Sequence, residues 1–151
     1  MEVLNQSSEQ SQKKIKLIDA RGPRFSAALT TLVLATALVT HSTILISIQV
    51  AVFAIGAFVG PAATPYAFIF KKFVKPLLSK SAPTEDSRPP QFAQSIGLIF
   101  AVIALAGALF SVPALVTISL SLALAAAFLN AAFNFCLGCE IYLILVRAFK
   151  K

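Results

Sequence analysis

Two stretches of this chain run far longer without charge than any strand or helix of a soluble domain requires, and they decide what it can fold into. Phe25 to Phe70 is broken only by Thr40-His41-Ser42-Thr43, by Gly60-Pro61 and by Pro65. Phe92 to Val146 is broken at Ser111 and Pro113 and carries a single acid, Glu140. One helical crossing of a bilayer takes ~20 apolar residues, so each stretch holds two helices joined by a tight polar turn. Proline starts helices and disrupts their interiors, which places the second turn just before Pro113. With 58% hydrophobic and only 13% charged residues, too few polar side chains remain to cover a soluble globule, where the charged share is ~25%. The predicted fold is therefore all-α: an integral membrane four-helix bundle embedded in a lipid bilayer, with spans at about 25–40, 43–60, 92–110 and 113–134.

Charge placement gives an independent reading of topology. Of 151 residues, 13 are Lys or Arg, and every one falls before the first span, between residues 71 and 90, or within the last five. Neither predicted hairpin turn has any. Cytoplasmic loops are enriched in these residues, so both termini and the central segment are expected in the cytoplasm. Residues 1–20 read as a polar, disordered tail, residues 21–151 as one transmembrane domain, and residues 71–90, with five basic residues and four prolines, as an aqueous linker. The tail has no apolar core of the signal-peptide kind, so the first span is expected to direct insertion. The basic residues need no nucleic acid partner once they are read as topology determinants.

An internal repeat is visible. Arg21-Gly22-Pro23-Arg24-Phe25 and Arg88-Pro89-Pro90-Gln91-Phe92 both read R-x-P-x-F, and Tyr66 to Phe73 resembles Tyr142 to Phe149 in its aromatic and basic spacing. The pattern predicts two helical hairpins related by duplication, about a pseudo-twofold axis along the membrane normal. Matching Tyr66 to Tyr142 sets Gly60-Pro61-Ala62-Ala63-Thr64 against Cys136-Leu137-Gly138-Cys139-Glu140.

The second copy carries the candidate chemistry. Cys136 and Cys139, the only cysteines, form C-x-x-C, a spacing that suits reversible disulfide formation or two ligands of a soft metal. Glu140 follows directly and is expected to accept a thiol proton; as an anion it also opposes thiolate formation unless it is protonated or paired with Arg147. No His or second C-x-x-C lies on the same side to complete a metal site, and no motif implies a cofactor. Pro113 to Val146 would span ~50 Å as one helix, so a break or strong tilt is expected near Asn134 to Gly138, with a short interfacial helix beyond it. Asn130 and Asn134, at i and i+4, put two amides on one face of the fourth span, where they predict polar contacts in the bundle, with Gln49, Gln94 and Ser95 as partners. Gly56 and Gly97 predict close helix contacts, His41 a solvated turn, and Asp19, Arg21 and Arg24 a charged cluster near Glu140.

Through R-G-P-R-F at 21–25, P-P-Q-F-A-Q at 89–94 and F-L-N-A-A-F-N-F-C-L-G-C-E at 128–140, the chain resembles a family of small bacterial four-span membrane proteins known only as a domain of unknown function. The resemblance covers about residues 19–148. It implies a place in a bacterial inner (plasma) membrane and a thiol role for Cys136 and Cys139 beside a thioredoxin-like or sulfurtransferase protein. Four-helix quinone-linked thiol oxidoreductases also carry C-x-x-C on a membrane helix. Theirs acts on the outer face and works with a second cysteine pair, neither of which is found here. Two functions follow as expectations: thiol–disulfide or sulfur exchange at the cytoplasmic side, or a non-enzymatic accessory or small-transporter subunit, as a monomer or a homo-oligomer, whose cysteines pack or bind metal. Whether the chain is an enzyme is left open between them.

Overall fold

A computed structural model describes residues 17–77, 84–133 and 135–149. It is all-α apart from one pair of three-residue strands, β1 (Leu17–Asp19) and β2 (Thr84–Asp86). Four helices make the bundle: α1 (Arg21–Thr40), α2 (Thr43–Phe58), α4 (Arg88–Leu109) and α5 (Pro113–Phe133). After α2 comes a short segment: a 3-10 turn (Pro61–Ala63), α3 (Pro65–Ile69), then a π turn and a 3-10 turn reaching Leu77. The chain ends its described part in α6 (Leu137–Phe149).

α1, α4 and α5 are long and apolar enough to cross a membrane; α2 is equally apolar at 16 residues. Their outward faces are as apolar as their inward ones. Ile44, Ile48, Ile99 and Ile118 are exposed, while Leu34, Ala37, Ile46, Ala104, Val116 and Leu120 form the core. A helix that is apolar all round belongs in a protein interior or in lipid.

The starts of α1 and α4 are built alike. Asp19 Oδ1 accepts from the Arg21 backbone N–H at 2.9 Å, and Asp86 Oδ1 from that of Arg88 at 3.0 Å. Each guanidinium then closes on the same carboxylate: Arg21 Nη2 reaches Asp19 Oδ2 at 3.0 Å, and Arg88 Nη2 reaches Asp86 Oδ2 at 2.6 Å. The clamp satisfies a backbone donor that a helix start leaves unpaired. It also explains why both helices begin four residues before the sequence-predicted spans. Prolines within the first turns of both helices forfeit no hydrogen bond there. The repeat is thus D-x-R-x-P-x-F.

Part of the segment expected to be an unstructured tail and linker is folded. β1 pairs antiparallel with β2 in the register Leu17↔Asp86, Ile18↔Glu85 and Asp19↔Thr84. Ile18 and Glu85 are matched positions of the two copies, so the central pair maps onto itself and the outer pairs exchange. A pseudo-twofold axis therefore passes through this strand pair. The linker is helical as far as Leu77 and in strand from Thr84. Most of the expected tail, residues 1–16, lies outside the described residues.

Both hairpins turn on a left-handed residue, His41 (φ 52°) and Ser111 (φ 58°). Ser42 Oγ then caps α2 by accepting from Leu45 N at 3.3 Å. His41 is exposed in this turn. Across the bundle α2 faces α4, and α1 faces α5. The α2–α4 contact is reciprocal: a Cβ at Gly97 would lie 2.8 Å from the Phe53 ring, and one at Gly56 would lie 2.7 Å from Gln94 Oε1. Each helix thus sinks a large side chain where the other has none.

Two outcomes follow. Gly97→Leu overfills this contact and lowers stability by about 1–3 kcal/mol, and Phe53→Ala in the same chain recovers part of that loss, measured by denaturant unfolding in detergent. The Arg21 and Arg88 hydrogen bonds hold the Asp19 and Asp86 carboxyls below the usual carboxylate range. A depressed folded-state value means stability that is complete above the ordinary carboxylate value and lost as pH falls toward the folded one. The chain is therefore expected to lose stability on acidification below about pH 4, with a shallower slope in Asp19→Asn than in the unaltered protein.

Candidate functional site

The helix break predicted near Asn134 to Gly138 is present: α5 ends at Phe133, and α6 starts at Leu137. Asn134 itself lies outside the described residues. Cys136 and Cys139 are joined as a disulfide, with Cα atoms 5.1 Å apart. Cys136 occupies the position before the first turn of α6, where its Sγ accepts from Cys139 N at 3.2 Å, and the Glu140 N–H reaches the Cys136 carbonyl at 3.0 Å. Both cysteines are partly exposed.

The first hairpin has the same device with a different atom. Thr64 Oγ1 accepts from Ala67 N at 3.2 Å, capping α3 as Cys136 caps α6. The aromatic contacts agree with this match. Phe25, from the start of the first copy, lies 5.6 Å from Phe70, and Phe92, from the start of the second, lies 5.6 Å from Tyr142. Phe70 and Tyr142 are therefore equivalent, and the sequence match of Tyr66 to Tyr142 is one helical turn out of step. In the corrected register Cys136 replaces Thr64, and Cys139 replaces Ala67.

Glu140 is exposed in the first turn of α6, where a carboxylate favours the positive end of the helix dipole. No ion pair joins it to Arg147 among the described residues. Nor does the cluster of Asp19, Arg21 and Arg24 close on it: Asp19 and Arg21 pair with each other, and Arg24 Nε donates to the Ala131 carbonyl at 3.0 Å, tying the start of α1 to the end of α5. Among the described residues no group of three His, Cys, Asp or Glu is placed to hold a metal ion.

Behind α6 lies a cavity of about 400 Å³ between α1, α4 and α5. Gly138 and Leu137, the residues between the cysteines, form part of its wall, so the sulfurs sit on the other side of the same helical turn. Gly138 permits this closeness, since a Cβ there would meet the Ala93 Cβ at 2.6 Å. Asn130 lines this cavity. Gln49, 1% exposed, accepts from the Tyr66 hydroxyl at 2.9 Å, and Ser95 Oγ donates to the Gln91 carbonyl at 3.1 Å. A second cavity of about 180 Å³ opens toward Asp19, Lys71 and Lys75 and shares Pro23, Pro90 and Gln94 as a wall with the first. Sequence reading passed over Thr30, which lies among apolar neighbours with no motif to mark it, and marked Tyr66 only as part of the repeat.

The fold and site define an all-α protein of two matched helical hairpins, with membrane-length apolar helices and one disulfide at a helix start. The chain belongs to a family described as a domain of unknown function, DUF4395, whose pattern matches residues 18–147. No curated protein and no solved structure matches it.

The cap equivalence gives a direct expectation. Under reducing conditions Cys136→Thr, which restores the first hairpin's cap, keeps the stability of the reduced protein within a few tenths of a kcal/mol, whereas Cys136→Ala loses about 1 kcal/mol, both read from thermal unfolding with a reductant present.

Proposed function

We propose that this chain is a multi-pass protein of a bacterial inner membrane whose Cys136–Cys139 pair exchanges electrons with a thioredoxin-like or sulfurtransferase partner at the cytoplasmic surface. The observation that carries the reading is the C-x-x-C pair at the start of α6, partly exposed and bonded, with the Cys139 N–H directed at the Cys136 sulfur. The orientation is supported by charge. Every described Lys and Arg lies in the first turn of α1 or α4, in the segment after α3 from Lys71 to Lys75, or in the last turn of α6, and neither hairpin turn has any.

The exchange balances within the two partners. In the reduced chain a Cys136 thiolate, favoured by the Cys139 N–H and the α6 dipole, attacks a disulfide of the partner and displaces one partner sulfur as a thiolate, which takes up a proton. Cys139 then gives up its proton and attacks the mixed disulfide at Cys136. The Cys136–Cys139 bond closes and the partner's second sulfur leaves as a thiol. Two electrons pass to the partner, and the reverse sequence reduces the chain; the relative potentials set the direction. Glu140, exposed one residue beyond Cys139, is suited to carry the Cys139 proton to water.

Trapping tests this. Incubated with an oxidised thioredoxin, the Cys139→Ser chain accumulates a mixed disulfide through Cys136, the Cys136→Ser chain accumulates far less, and Glu140→Gln slows closure without blocking the first attack. Equal trapping by both cysteine variants, or none by either, would sink the exchange reading and leave a non-enzymatic accessory or transport subunit in which the cysteines only brace α6.

A further inference from the structure

Three polar side chains face the 400 Å³ cavity from three different helices: Thr30 from α1, Gln94 from α4 and Asn130 from α5. None makes a hydrogen bond among the described residues; the Gln94 Oε1 is buried against Gly56, so it is the rest of that side chain that lines the cavity. Thr30 stands apart from its neighbours in this respect. Thr31, Thr36 and Thr40 on the same helix each turn the hydroxyl back to the carbonyl four residues earlier, at 2.7, 2.8 and 2.7 Å. Buried polar groups are nearly always satisfied, so the unpaired Thr30, 5% exposed and lining the cavity, is the exception that calls for a partner from outside the chain. The remaining wall is apolar, including Phe53 and Phe100, and no charged residue among those described lines it. An ion would lose its hydration there without a counter-charge, so the site excludes charged ligands. The volume falls within the range of small-molecule pockets, roughly 300–1,000 Å³.

We propose that this cavity binds an uncharged, largely apolar molecule through a hydroxyl or carbonyl head held by Thr30, Gln94 and Asn130. Its apolar body lies along Phe53 and Phe100, and one side rests against Leu137 and Gly138. The amides supply both donors and acceptors, so either head is accommodated. Two sources share this chemistry: a molecule dissolved in the bilayer, and one arriving from water by way of the second cavity, a vestibule lined by Ala62, Lys71 and Lys75 that adjoins the first at Pro23, Pro90 and Gln94. The site does not depend on the sulfur chemistry proposed above.

The probe is 1-decanol carrying a photoreactive diazirine, used on the full chain in phospholipid vesicles, with labelled residues mapped by mass spectrometry. Labelling is expected on residues of the cavity wall, such as Phe100 and Leu137. Unlabelled 1-decanol is expected to compete at least about tenfold better than decane or decanoate, the difference that roughly one satisfied hydrogen bond provides. Thr30→Val, Gln94→Leu and Asn130→Leu combined abolish that preference while leaving decane competition in place. If the triple variant fails to fold, Asn130→Leu alone still reduces the preference. Equal competition by decane and decanol means a cavity that merely holds an acyl chain, and labelling confined to outward residues such as Ile99 means no site; either overturns the proposal. Ala62→Phe, which narrows the vestibule, distinguishes the sources: labelling slowed only when the probe is added from water points to the aqueous route, and unchanged labelling points to the bilayer.

Discussion

A large side chain on each of α2 and α4 occupies the space left by a glycine on the other, Phe53 against Gly97 and Gln94 against Gly56. These two helices form one of the two seams through which the hairpins meet, the other being α1 against α5. In a bundle that is apolar inside and out, burial against neighbours gains little over burial against lipid, and close backbone approach with dense packing must hold the helices together. The same contact aims Gln94 at the wall shared by both cavities. Without the glycine notch the amide would be displaced from the cavity wall that it shares with Thr30 and Asn130.

The second organising element is the base. Two Asp–Arg clamps begin two helices, two short strands join them across a pseudo-twofold axis, and two aromatic pairs fasten each hairpin's last helix to its first. What departs from this symmetry is informative. Where the first copy caps a short helix with Thr64, the second uses Cys136 with a bonded partner at Cys139, keeping the geometry of a cap while adding a reactive bond. The disulfide and the cavity then share one helical turn, sulfur on one side and Gly138 on the other. A change at either face of that turn reaches the other through a single turn of backbone.

Much of this was legible in the chain. Two long apolar stretches, turns marked by His41-Ser42 and Ser111 to Pro113, and the crowding of Lys and Arg into three segments follow from local composition, and the described helices agree with that pattern. The C-x-x-C pair and the break before it were legible as well, since spacing within one turn is a local property. Asp86 was passed over because an acid in a polar segment looks solvated, and Asp19 was grouped with Arg21 and Arg24 near Glu140; only the distances to Arg21 and Arg88 reveal the clamps. The repeat was read one turn out of step because Tyr66 and Tyr142 match as letters, whereas insertions between the copies move the residue that meets the first phenylalanine to Phe70.

The sequence by itself determined an all-α chain of apolar, membrane-length helices with its charge at one end and two thiols one turn apart, because hydropathy, helix length and spacing along one helix need no knowledge of neighbours. Tertiary structure alone decided that Thr30, Gln94 and Asn130 come together unpaired around a cavity, that Gln49 belongs to Tyr66, and that the sulfurs face away from that cavity. Those relations join residues on different helices, and they depend on how closely glycine lets two backbones approach, a quantity that no linear pattern contains.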